Sequence, residues 1–486
     1  MPQVSVVEGI YFLYARIMNR KQHDVENQFE PFGCKMEQAG LPELARRAFR
    51  HHYEQLVMGY QGYISNADAR PVHDLPAVDQ LHTYAADGAA ALARTVVIKL
   101  NGGLGTTMGL AGPKSVLVAK DGHLFLDIIV EQVRQLRRRS GVRLPLIFMN
   151  SFHTQAATQA ALAALPDLPQ DAPLCFEQHR VPKIWRNDLT PVRWPRDPQQ
   201  EWCPPGHGDF YLSIQSSGLL EQLLARGYEY AFVSNADNLG AVIDLDVLGY
   251  LAARELTFLM EVTRRTENDR KGGHLAVNAD GHLLLREVAQ CSPEELPQFQ
   301  NIALYRFFNT NNLWIHLPSL GQILNRNGGI LDLPLIRNVK PVDPQQPDSP
   351  KVYQLETAMG AAISLLPNVQ ALVVPRPRFL PVKNTNHLLA LWSDAYVFGD
   401  DFCLTPNPQR LLAMEPIIDL DPRYFTFVQQ LQARFPKGVP SLLRCNTLSI
   451  RGNVFVDGNI DLEGDVYIEN PEDAPIYLSE LSEQPK

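Results

Sequence analysis

Two kinds of hydrophobic pattern divide the chain. Near the N-terminus, LPELARRAFRHHYEQLV repeats apolar residues at spacings of three and four, which predicts amphipathic helix, and residues 1 to about 80 show no competing strand pattern. From about residue 95 to 400, short apolar runs alternate with helix-like stretches such as HLFLDIIVEQVRQLRRR. The runs are TVVIKL, LPLIFMN, YAFVSNAD, LTFLMEV and ALVVP. Because they are apolar at every position, we expect strands covered on both faces in a mixed, mainly parallel α/β sheet.

The tail has a different period. In LSIRGNVFVDGNIDLEGDVYI, Gly452, Gly458 and Gly464 recur every six residues. Two apolar registers follow the same period: Leu448, Val454, Ile460 and Val466, and Ile450, Val456, Leu462 and Ile468. Each hexad can supply one short strand and a corner, so the repeat predicts a small parallel β-helix. An antiparallel meander is the alternative.

The stretch PVDPQQPDSP places Pro341, Pro344, Pro347 and Pro350 three residues apart, the period of polyproline II. We interpret it as a stiff surface loop inserted in the α/β domain. A ligand for a proline-binding domain is the alternative.

The length of 486 residues predicts more than one domain. We divide the chain into an N-terminal helical segment, 1–85, a central α/β domain, 86–400, and a C-terminal β-helix domain, 401–486. Hydrophobic residues make up 45% and charged residues 20%, which excludes wholesale disorder.

The net charge and the cysteine content limit which partners and which cellular compartment we expect. A net charge of -9 gives no global basic field, so nucleic acid is not an expected partner. The six cysteines form no CxxC pair, which favours a reducing compartment. Glu8 interrupts the N-terminal apolar patch, and no apolar run is long enough to span a membrane. We therefore expect a cytoplasmic protein with no membrane partner.

The strongest chemical signal is NGGLGTTMGLAGPKS, residues 101–115, directly after the strand TVVIKL. Glycines such as Gly102, Gly103 and Gly105 let backbone amides approach a phosphate closely, and Lys114 adds a positive charge. The segment is not a Walker A loop, because Pro113 precedes the lysine, and its third glycine falls one residue late for a Rossmann fingerprint.

The loop instead resembles that of the UTP:glucose-1-phosphate uridylyltransferase family, also called UDP-glucose pyrophosphorylases, whose members carry a near-identical LNGGLGTxMG...GPKS. The resemblance recurs in order at FEQHRVPKI, PPGHGDFY, SNADNLG, KGGHL, FNTNNLW, QLETAMGAAI and FLPVKNTNHLL. It implies a Rossmann-like nucleotidyltransferase domain, a left-handed terminal β-helix, and formation of UDP-glucose and pyrophosphate from UTP and glucose 1-phosphate.

Asp237 follows the strand YAFVS, at the carboxyl end where open α/β sheets place their ligands. It can hold a hydrated Mg²⁺, which prefers one or two carboxylates plus substrate phosphates, although a lone aspartate after a strand is more often a turn or cap residue. The resemblance supports the metal role. It also implies that Lys383 is a second phosphate-binding lysine, opposite Lys114.

The resemblance assigns further contacts. It implies that Gln178 and Gly206 recognise the uracil, that His207 lies near the glucosyl phosphate, and that Leu100 belongs to the substrate-binding loop with its glycines. Side chains with the donors and acceptors that sugar hydroxyls need are Asn235, Asn311, Asn312 and Glu356.

Two positions depart from the family pattern. His274 stands where the family commonly has threonine, and His387 where it commonly has aspartate, which puts the charge balance around Lys383 in question.

Three rival functions compete with this hypothesis. One is a UDP-sugar or UDP-N-acetylglucosamine pyrophosphorylase of the same superfamily, whose loops typically open with LAGG, so that Asn101 argues against it. A nucleotide-binding oxidoreductase is disfavoured by the displaced glycine. A noncatalytic scaffold is disfavoured because Lys114, Asp237 and Lys383 are present together.

The hexads stop near Ile468 and an acidic, proline-bearing end follows, ENPEDAPIYLSELSEQPK. Charged residues and prolines discourage edge pairing between chains. We therefore predict a monomer or at most a dimer.

Overall fold

The computed structural model describes residues 26–110, 112–165, 168, 172–410, 412, 415–458, 460 and 462–479. Residues 1–25 of the expected helical segment and residues 480–486 of the acidic end lie outside the described residues.

A ten-stranded mixed sheet forms the centre of the molecule. Its strands are β1 (Arg70–Pro71), β2 (Thr95–Asn101), β3 (Leu146–Asn150), β4 (Cys175–Glu177), β5 (Tyr230–Asn235), β6 (Phe258–Arg264), β7 (His274–Val277), β8 (Leu283–Arg286), β9 (Phe307–His316) and β10 (Val369–Val373). Every apolar run named above supplies one of them.

The main order across the sheet is β4-β3-β2-β5-β9-β6-β10. Strands β4, β3, β2 and β5 pair in parallel, and β6 pairs in parallel with β10. Only β9 runs antiparallel to both of its neighbours in this order, β5 and β6. The far end of β9 pairs with β7, which also joins β8 and β1. The predicted mixed sheet is confirmed.

Alternate side chains of the central strands enter two apolar layers. Val97 and Phe232 face one layer, and Ile98 and Val233 face the other. Because both faces are covered, polar positions cannot alternate along these strands.

The helices cover the two faces of the sheet and the N-terminal side of the molecule. Their bounds are 26–38, Glu43–Val57, Ala85–Leu92, Phe125–Ser140, Gln155–Ala163, Phe210–Ser216, Leu219–Ala225, Leu245–Ala253, Leu296–Phe299, Leu317–Arg326, Thr385–Trp392, Pro422–Phe425 and Val428–Arg434. None of the helices within these described ranges is both long and apolar enough to cross a membrane.

The N-terminal region is less helical than the sequence suggests. Glu43–Val57 is helical as predicted, but residues 58–77 form turns, extended segments and strand β1. Gly59 and Gly62 adopt positive φ, and Pro71 and Pro76 interrupt regular hydrogen bonding. The expectation of helix throughout this stretch is therefore wrong.

The C-terminal strands pair in parallel. β11 (Ile417–Leu420), β12 (Arg444–Arg451) and β13 (Glu463–Glu469) form one sheet, and Val454–Phe455 pairs with Ile476–Tyr477 in another. These strands do not form the alternative antiparallel meander. Their buried side chains continue the apolar layer that begins at the central sheet, and Phe427 lies against Gly109 of the glycine loop.

The proline-rich stretch is the tip of a hairpin between Ile336–Pro341 and Lys351–Glu356. Residues 343–349 consist mainly of turns and bends, so the loop interpretation holds and no polyproline helix forms. Val342, which precedes these residues, is buried. The hairpin also pairs with Ile184–Trp185. The remaining short strands are Val118–Lys120, His123–Leu124, Val181–Pro182, Trp202–Cys203, Tyr396–Phe398 and Leu404–Pro406.

Candidate active site

The sheet has a topological switch point beside β2. The chain passes outward from β2 to β3 and β4, and then returns to place β5 on the opposite side of β2. Ligands of open α/β sheets bind where the strand order reverses in this way. Leu100 lies opposite Asn235 at this point, and its carbonyl accepts a hydrogen bond of 2.9 Å from the Ala236 amide. The loops after β2 and β5 therefore meet.

Lys114 and Asp237 form an ion pair between these two loops. Lys114 Nζ lies 2.7 Å from Asp237 Oδ2 and donates a second hydrogen bond of 2.8 Å to the Val382 carbonyl. The Val382 amide in turn donates to the Asp237 carbonyl at 3.1 Å. The segment that carries Lys383 is thus tied to both loops, and the structure brings these three predicted residues together.

The Lys383 side chain is exposed, with Nζ 5.7 Å from the ring centroid of Phe308 and 5.8 Å from that of Phe379. Its amide donates a 3.1 Å hydrogen bond to Nδ1 of His387. Burial, together with the positive charges of Lys383, Arg376 and Lys114, lowers the pKa of His387 to about 4. His387, which replaces the aspartate common in the family, is therefore a neutral imidazole that accepts a hydrogen bond from the Lys383 backbone N–H.

The environment of Asp237 fits a magnesium ion. Its Oδ1 is buried and has no hydrogen-bond partner, an arrangement that is costly unless a ligand satisfies the oxygen. Among the described residues, no cluster of three or more His, Cys, Asp or Glu side chains could hold a metal. A cation here would therefore be held by Asp237 with substrate phosphates, which suits Mg²⁺.

The predicted uracil contacts lie on the other side of the glycine loop. A Cβ on Gly102 would meet Gln178 Nε2 at 2.3 Å, so the absence of a side chain lets the buried Gln178 lie against the loop. Gly206 has φ of +81°, and a Cβ there would lie 2.5 Å from the Thr357 carbonyl. Gly206 therefore requires glycine, whereas a side chain at Gly102 would displace Gln178.

The other loop glycines differ in their surroundings. A Cβ on Gly103 would meet nothing within 4 Å, so the backbone is open at this position. Gly105 packs against Leu110, with 2.4 Å between an added Cβ and the leucine Cδ1.

His207 and Glu356 lie near Gly206. His207 Nδ1 accepts a 3.0 Å hydrogen bond from the Met359 amide, and desolvation lowers its pKa to about 4. Glu356 ends the hairpin strand, and its Cβ lies 3.1 Å from the Cβ position of Gly206. Burial raises the pKa of Glu356, although a hydrogen bond from Asn338 partly opposes the shift.

Asn311 sits in a β-bulge of β9. The register with β6 shifts here, and Asn311 adopts a positive φ of 59°, which is uncommon outside glycine. Its Nδ2 donates 2.9 Å to Asn235 Oδ1, whereas its own Oδ1 is buried without a partner. The bulge therefore holds Asn311 beside Asn235 with one acceptor unused.

Asn312 does not fit the predicted sugar-hydroxyl role. Its Nδ2 donates to Glu261 Oε2 at 3.0 Å and to the Arg378 carbonyl at 3.2 Å, and its Oδ1 accepts from Asn238 at 3.1 Å. The side chain is fully buried, and these contacts use both of its N–H groups. Asn312 therefore belongs to the supporting network beneath the site.

His274 is also remote from solvent. Its ring stacks on Tyr305, with centroids 4.0 Å apart, and neither ring nitrogen has a hydrogen-bond partner. Desolvation, with the charges of Arg265 and Arg286, lowers its pKa to about 2. This departure from the family pattern adds a buried neutral ring.

Two residues of the site were not singled out in the sequence. Asn238 Oδ1 accepts from the Leu380 and Gly240 amides, at 2.8 Å and 3.2 Å, and so joins the Asp237 loop to the Lys383 segment. Glu287 packs its carboxylate against Gly273, where burial raises its pKa and Lys383 opposes the shift. Asn238 lies in the motif SNADNLG, but the sequence alone does not show that its side chain is buried and joins two loops.

Comparisons with known proteins agree with this geometry. The family model described as UTP–glucose-1-phosphate uridylyltransferase matches residues 46–463. The chain is 38% identical over 438 residues to a probable UTP–glucose-1-phosphate uridylyltransferase from Schizosaccharomyces pombe, covering 87% of this chain and 85% of that protein. It is 40% identical over 380 residues to the UTP–glucose-1-phosphate uridylyltransferase of Hordeum vulgare, covering 78% of each.

A solved structure extends the similarity to the whole fold. A point variant of the UDP-glucose pyrophosphorylase from Leishmania major, in complex with UDP-glucose, superposes with a TM-score of 0.87 and 43% identity. The match covers 93% of this chain and 96% of that chain. The chain therefore belongs to the UTP–glucose-1-phosphate uridylyltransferase family.

Proposed function

We propose that this protein forms UDP-glucose and pyrophosphate from UTP and glucose 1-phosphate by direct displacement. The observation that carries the proposal is the meeting of Lys114, Asp237 and the Lys383 segment at the switch point of the sheet. Family membership supports the same reaction.

In this reaction, a phosphate oxygen of glucose 1-phosphate attacks the α-phosphorus of UTP in line, and pyrophosphate leaves. The attacking phosphate is already a nucleophile, so the enzyme needs no serine–histidine or cysteine–histidine pair. The chain's task is to align the two substrates and to neutralise the developing charge. We assign that task to Lys114, Lys383 and the amides of the glycine loop, including Gly103 and Gly105.

Magnesium is the proposed cofactor, held by Asp237 through the otherwise unpartnered Oδ1. When bound, it would neutralise phosphate charge and fix the orientation of the phosphate oxygens. The chain contributes the carboxylate and keeps Lys114 within 2.7 Å of its other oxygen.

Substrate recognition is divided between two sides of the loop. We assign uracil binding to Gln178 and Gly206, with Leu100 supporting the loop, and contact with the glucosyl phosphate to His207. Asn235, Asn311 and Glu356 are the proposed partners of sugar hydroxyls. The buried, unused Oδ1 of Asn311 supports its part in this set.

The assay that tests the function is pyrophosphate release from UTP with a panel of sugar phosphates, with and without magnesium. Glucose 1-phosphate should be the preferred substrate and magnesium should be required. Preference for N-acetylglucosamine 1-phosphate would instead support the rival pyrophosphorylase, which the family match does not favour.

Three further proposals concern organisation. The segment 401–486 is proposed to be a left-handed parallel β-helix; supporting this, Leu448 pairs in parallel with Val466, three hexads later. We also propose domain boundaries at residues 85 and 400. A cytoplasmic location is supported by six free cysteines, and a monomer or dimer by the acidic end.

A further inference from the structure

A buried histidine–aspartate pair lies behind the proposed uracil contacts. Asp209 Oδ1 and Oδ2 lie 3.0 Å and 3.1 Å from His179 Nδ1, and Oδ2 also accepts the His179 backbone N–H at 2.7 Å. Both side chains are more than nine-tenths buried. A carboxylate that receives two N–H groups from one residue fixes both the backbone and the ring of that residue.

The pair joins two loops that are separate in the sequence. His179 follows Gln178 directly, and the backbone N–H of Gln178 donates a 2.8 Å hydrogen bond to the backbone carbonyl of Asn150. Asp209 lies two residues after His207, and its amide donates to the Gly206 carbonyl at 3.3 Å. The carboxylate therefore links the FEQHR segment to the PPGHGD segment through side-chain hydrogen bonds.

Packing alone does not hold these side chains. His179 and Asp209 both border a cavity between their loops and the helix Glu43–Val57, which also reaches Gly208 and Thr357. A ring beside empty space can move unless polar contacts restrain it. The hydrogen bonds to Asp209 supply that restraint, and His179 Nε2 also lies 3.0 Å from Ser216 Oγ.

The restraint survives a change in protonation. Burial opposes the charge on His179, but Asp209 outweighs it and raises the pKa of the imidazole. In either state Nδ1 carries the proton that faces Asp209, while Nε2 can donate to or accept from the Ser216 hydroxyl. The link therefore needs a donor at Nδ1, not a positive charge.

We propose that His179 and Asp209 are positioning residues that set the placement of Gln178 relative to Gly206, and so determine affinity and selectivity for the UTP base. The inference rests on the proposed roles of Gln178 and Gly206 in binding uracil. It predicts a larger defect for the nucleotide than for glucose 1-phosphate, because the turn that carries His207 is also held by hydrogen bonds from the Gly208 amide to the Thr357 carbonyl and from the Met359 amide to His207 Nδ1.

Two substitutions of His179 test the geometry. The Asn amide nitrogen can take the place of Nδ1, so His179→Asn should keep the link to Asp209 and stay within about twofold of the parent KM for UTP. His179→Gln keeps similar volume but carries its amide nitrogen where Nε2 was. Loss of a hydrogen bond to a charged group should then raise KM for UTP about tenfold, with KM for glucose 1-phosphate and kcat little changed.

The same panel should include Asp209→Asn, His179→Ala and Ser216→Ala, each with a thermal melt to show that it is folded at the assay temperature. Ser216→Ala is the comparison variant, since it removes the contact at His179 Nε2 and leaves the hydrogen bonds from the His179 backbone and Nδ1 to Asp209 in place. The ratio of kcat/KM for UTP to that for CTP is the deciding readout, and it should fall in His179→Gln, His179→Ala and Asp209→Asn but not in Ser216→Ala.

Four outcomes overturn the proposal. Equal behaviour of His179→Asn and His179→Gln would show that the Nδ1 donor is irrelevant. Equal increases in KM for UTP and for glucose 1-phosphate would show that the pair has only a general structural role. If Gln178→Ala lowers the UTP preference while the pair variants do not, the positioning inference is wrong and the base assignment stands; if Gln178→Ala has no effect, the base assignment itself fails and the inference falls with it.

Discussion

Lys114 Nζ lies 2.7 Å from Asp237 Oδ2, while the other oxygen of the same carboxylate is buried and unpartnered. One aspartate thus pairs one oxygen with a lysine and has its other oxygen without a hydrogen-bond partner. A cation and an ammonium can share such a carboxylate, which would place two positive charges where we propose that the triphosphate binds. The first two predictions separate these contributions.

Lys114→Ala should reduce turnover much more than stability. Loss of a preorganised charge at the reacting phosphates should cost about 2–4 kcal/mol of transition-state stabilisation, seen as a lower kcat/KM. Lys120→Ala is the control, since Lys120 is buried and its Nζ donates to the Ser393 carbonyl at 2.5 Å. That variant should lose stability and keep its activity per folded molecule. Near-normal turnover in Lys114→Ala would remove this lysine from the site.

Asp237→Asn should keep the fold and lose most magnesium-dependent activity. The amide is nearly isosteric with the carboxylate but lacks the charge that a hard cation requires. The measurement is a magnesium titration of pyrophosphate release, with Asp419→Asn, a change on an exposed residue paired with Arg451, as the control. A titration curve that matches the parent would contradict the metal assignment.

Gly102→Ala should reproduce the phenotype of Gln178→Ala. The new methyl group would lie 2.3 Å from Gln178 Nε2, so the side chain must leave its place on the loop. We expect a raised KM for UTP and weaker discrimination between nucleotides, because base recognition depends on specific hydrogen bonds. Gly33→Ala is the control, since its Cβ meets only the Phe29 ring, at 3.5 Å. Additive effects in the double variant Gly102→Ala/Gln178→Ala would argue against a shared cause.

His274→Phe should stabilise the protein, most clearly in acid. The pKa of His274 is about 2 in the folded protein and near 6.5 when unfolded, so between these values the unfolded chain binds a proton that the folded chain does not. Its contribution is therefore constant above about pH 6.5 and becomes destabilising as pH falls below that value.

Phenylalanine keeps the stack on Tyr305 and removes two unpartnered nitrogens, which should add about 1–3 kcal/mol to the free energy of unfolding at pH 7. Denaturant melts from pH 7.5 to 5 should show a smaller acid loss than in the parent. His52, His207 and His387 also have lowered pKa values, so some loss will remain. An unchanged pH slope would mean that His274 is not buried in solution.

The chain should be a monomer or at most a dimer at micromolar concentration. The acidic, proline-bearing residues after Ile468 disfavour pairing of the last strands with another chain. Light scattering in line with gel filtration measures the mass directly. Four or more chains that persist on dilution would show that the tail supports assembly.

The sequence predicts the sheet well because buried strands are apolar at every position, and all the runs named from the pattern are strands of the sheet. Periodicity also locates the helix Glu43–Val57, but it fails between residues 58 and 77, where tertiary pairing of Arg70 with Val277 holds an extended segment. Local patterns carry no information about such long-range pairs.

The site is less predictable for the same reason. Motifs locate Lys114, Asp237 and Lys383, but the sequence does not show which asparagine side chain lies beside Asn235. The bulge in β9 decides this, because it turns Asn311 toward Asn235 and leaves Asn312 in the buried network. The supporting roles of Asn238 and Asp209 likewise depend on contacts between loops that only the fold brings together.

Contact between Phe427 and Gly109 has a consequence for biosynthesis. The glycine loop is translated well before residue 427, whose aromatic ring rests on it. A nascent chain can therefore complete the strands that carry Lys114 and Asp237 while one side of the loop still lacks its cover. The proposed nucleotide site therefore reaches its final packing only after the segment around Phe427 has been synthesised and has folded against the loop.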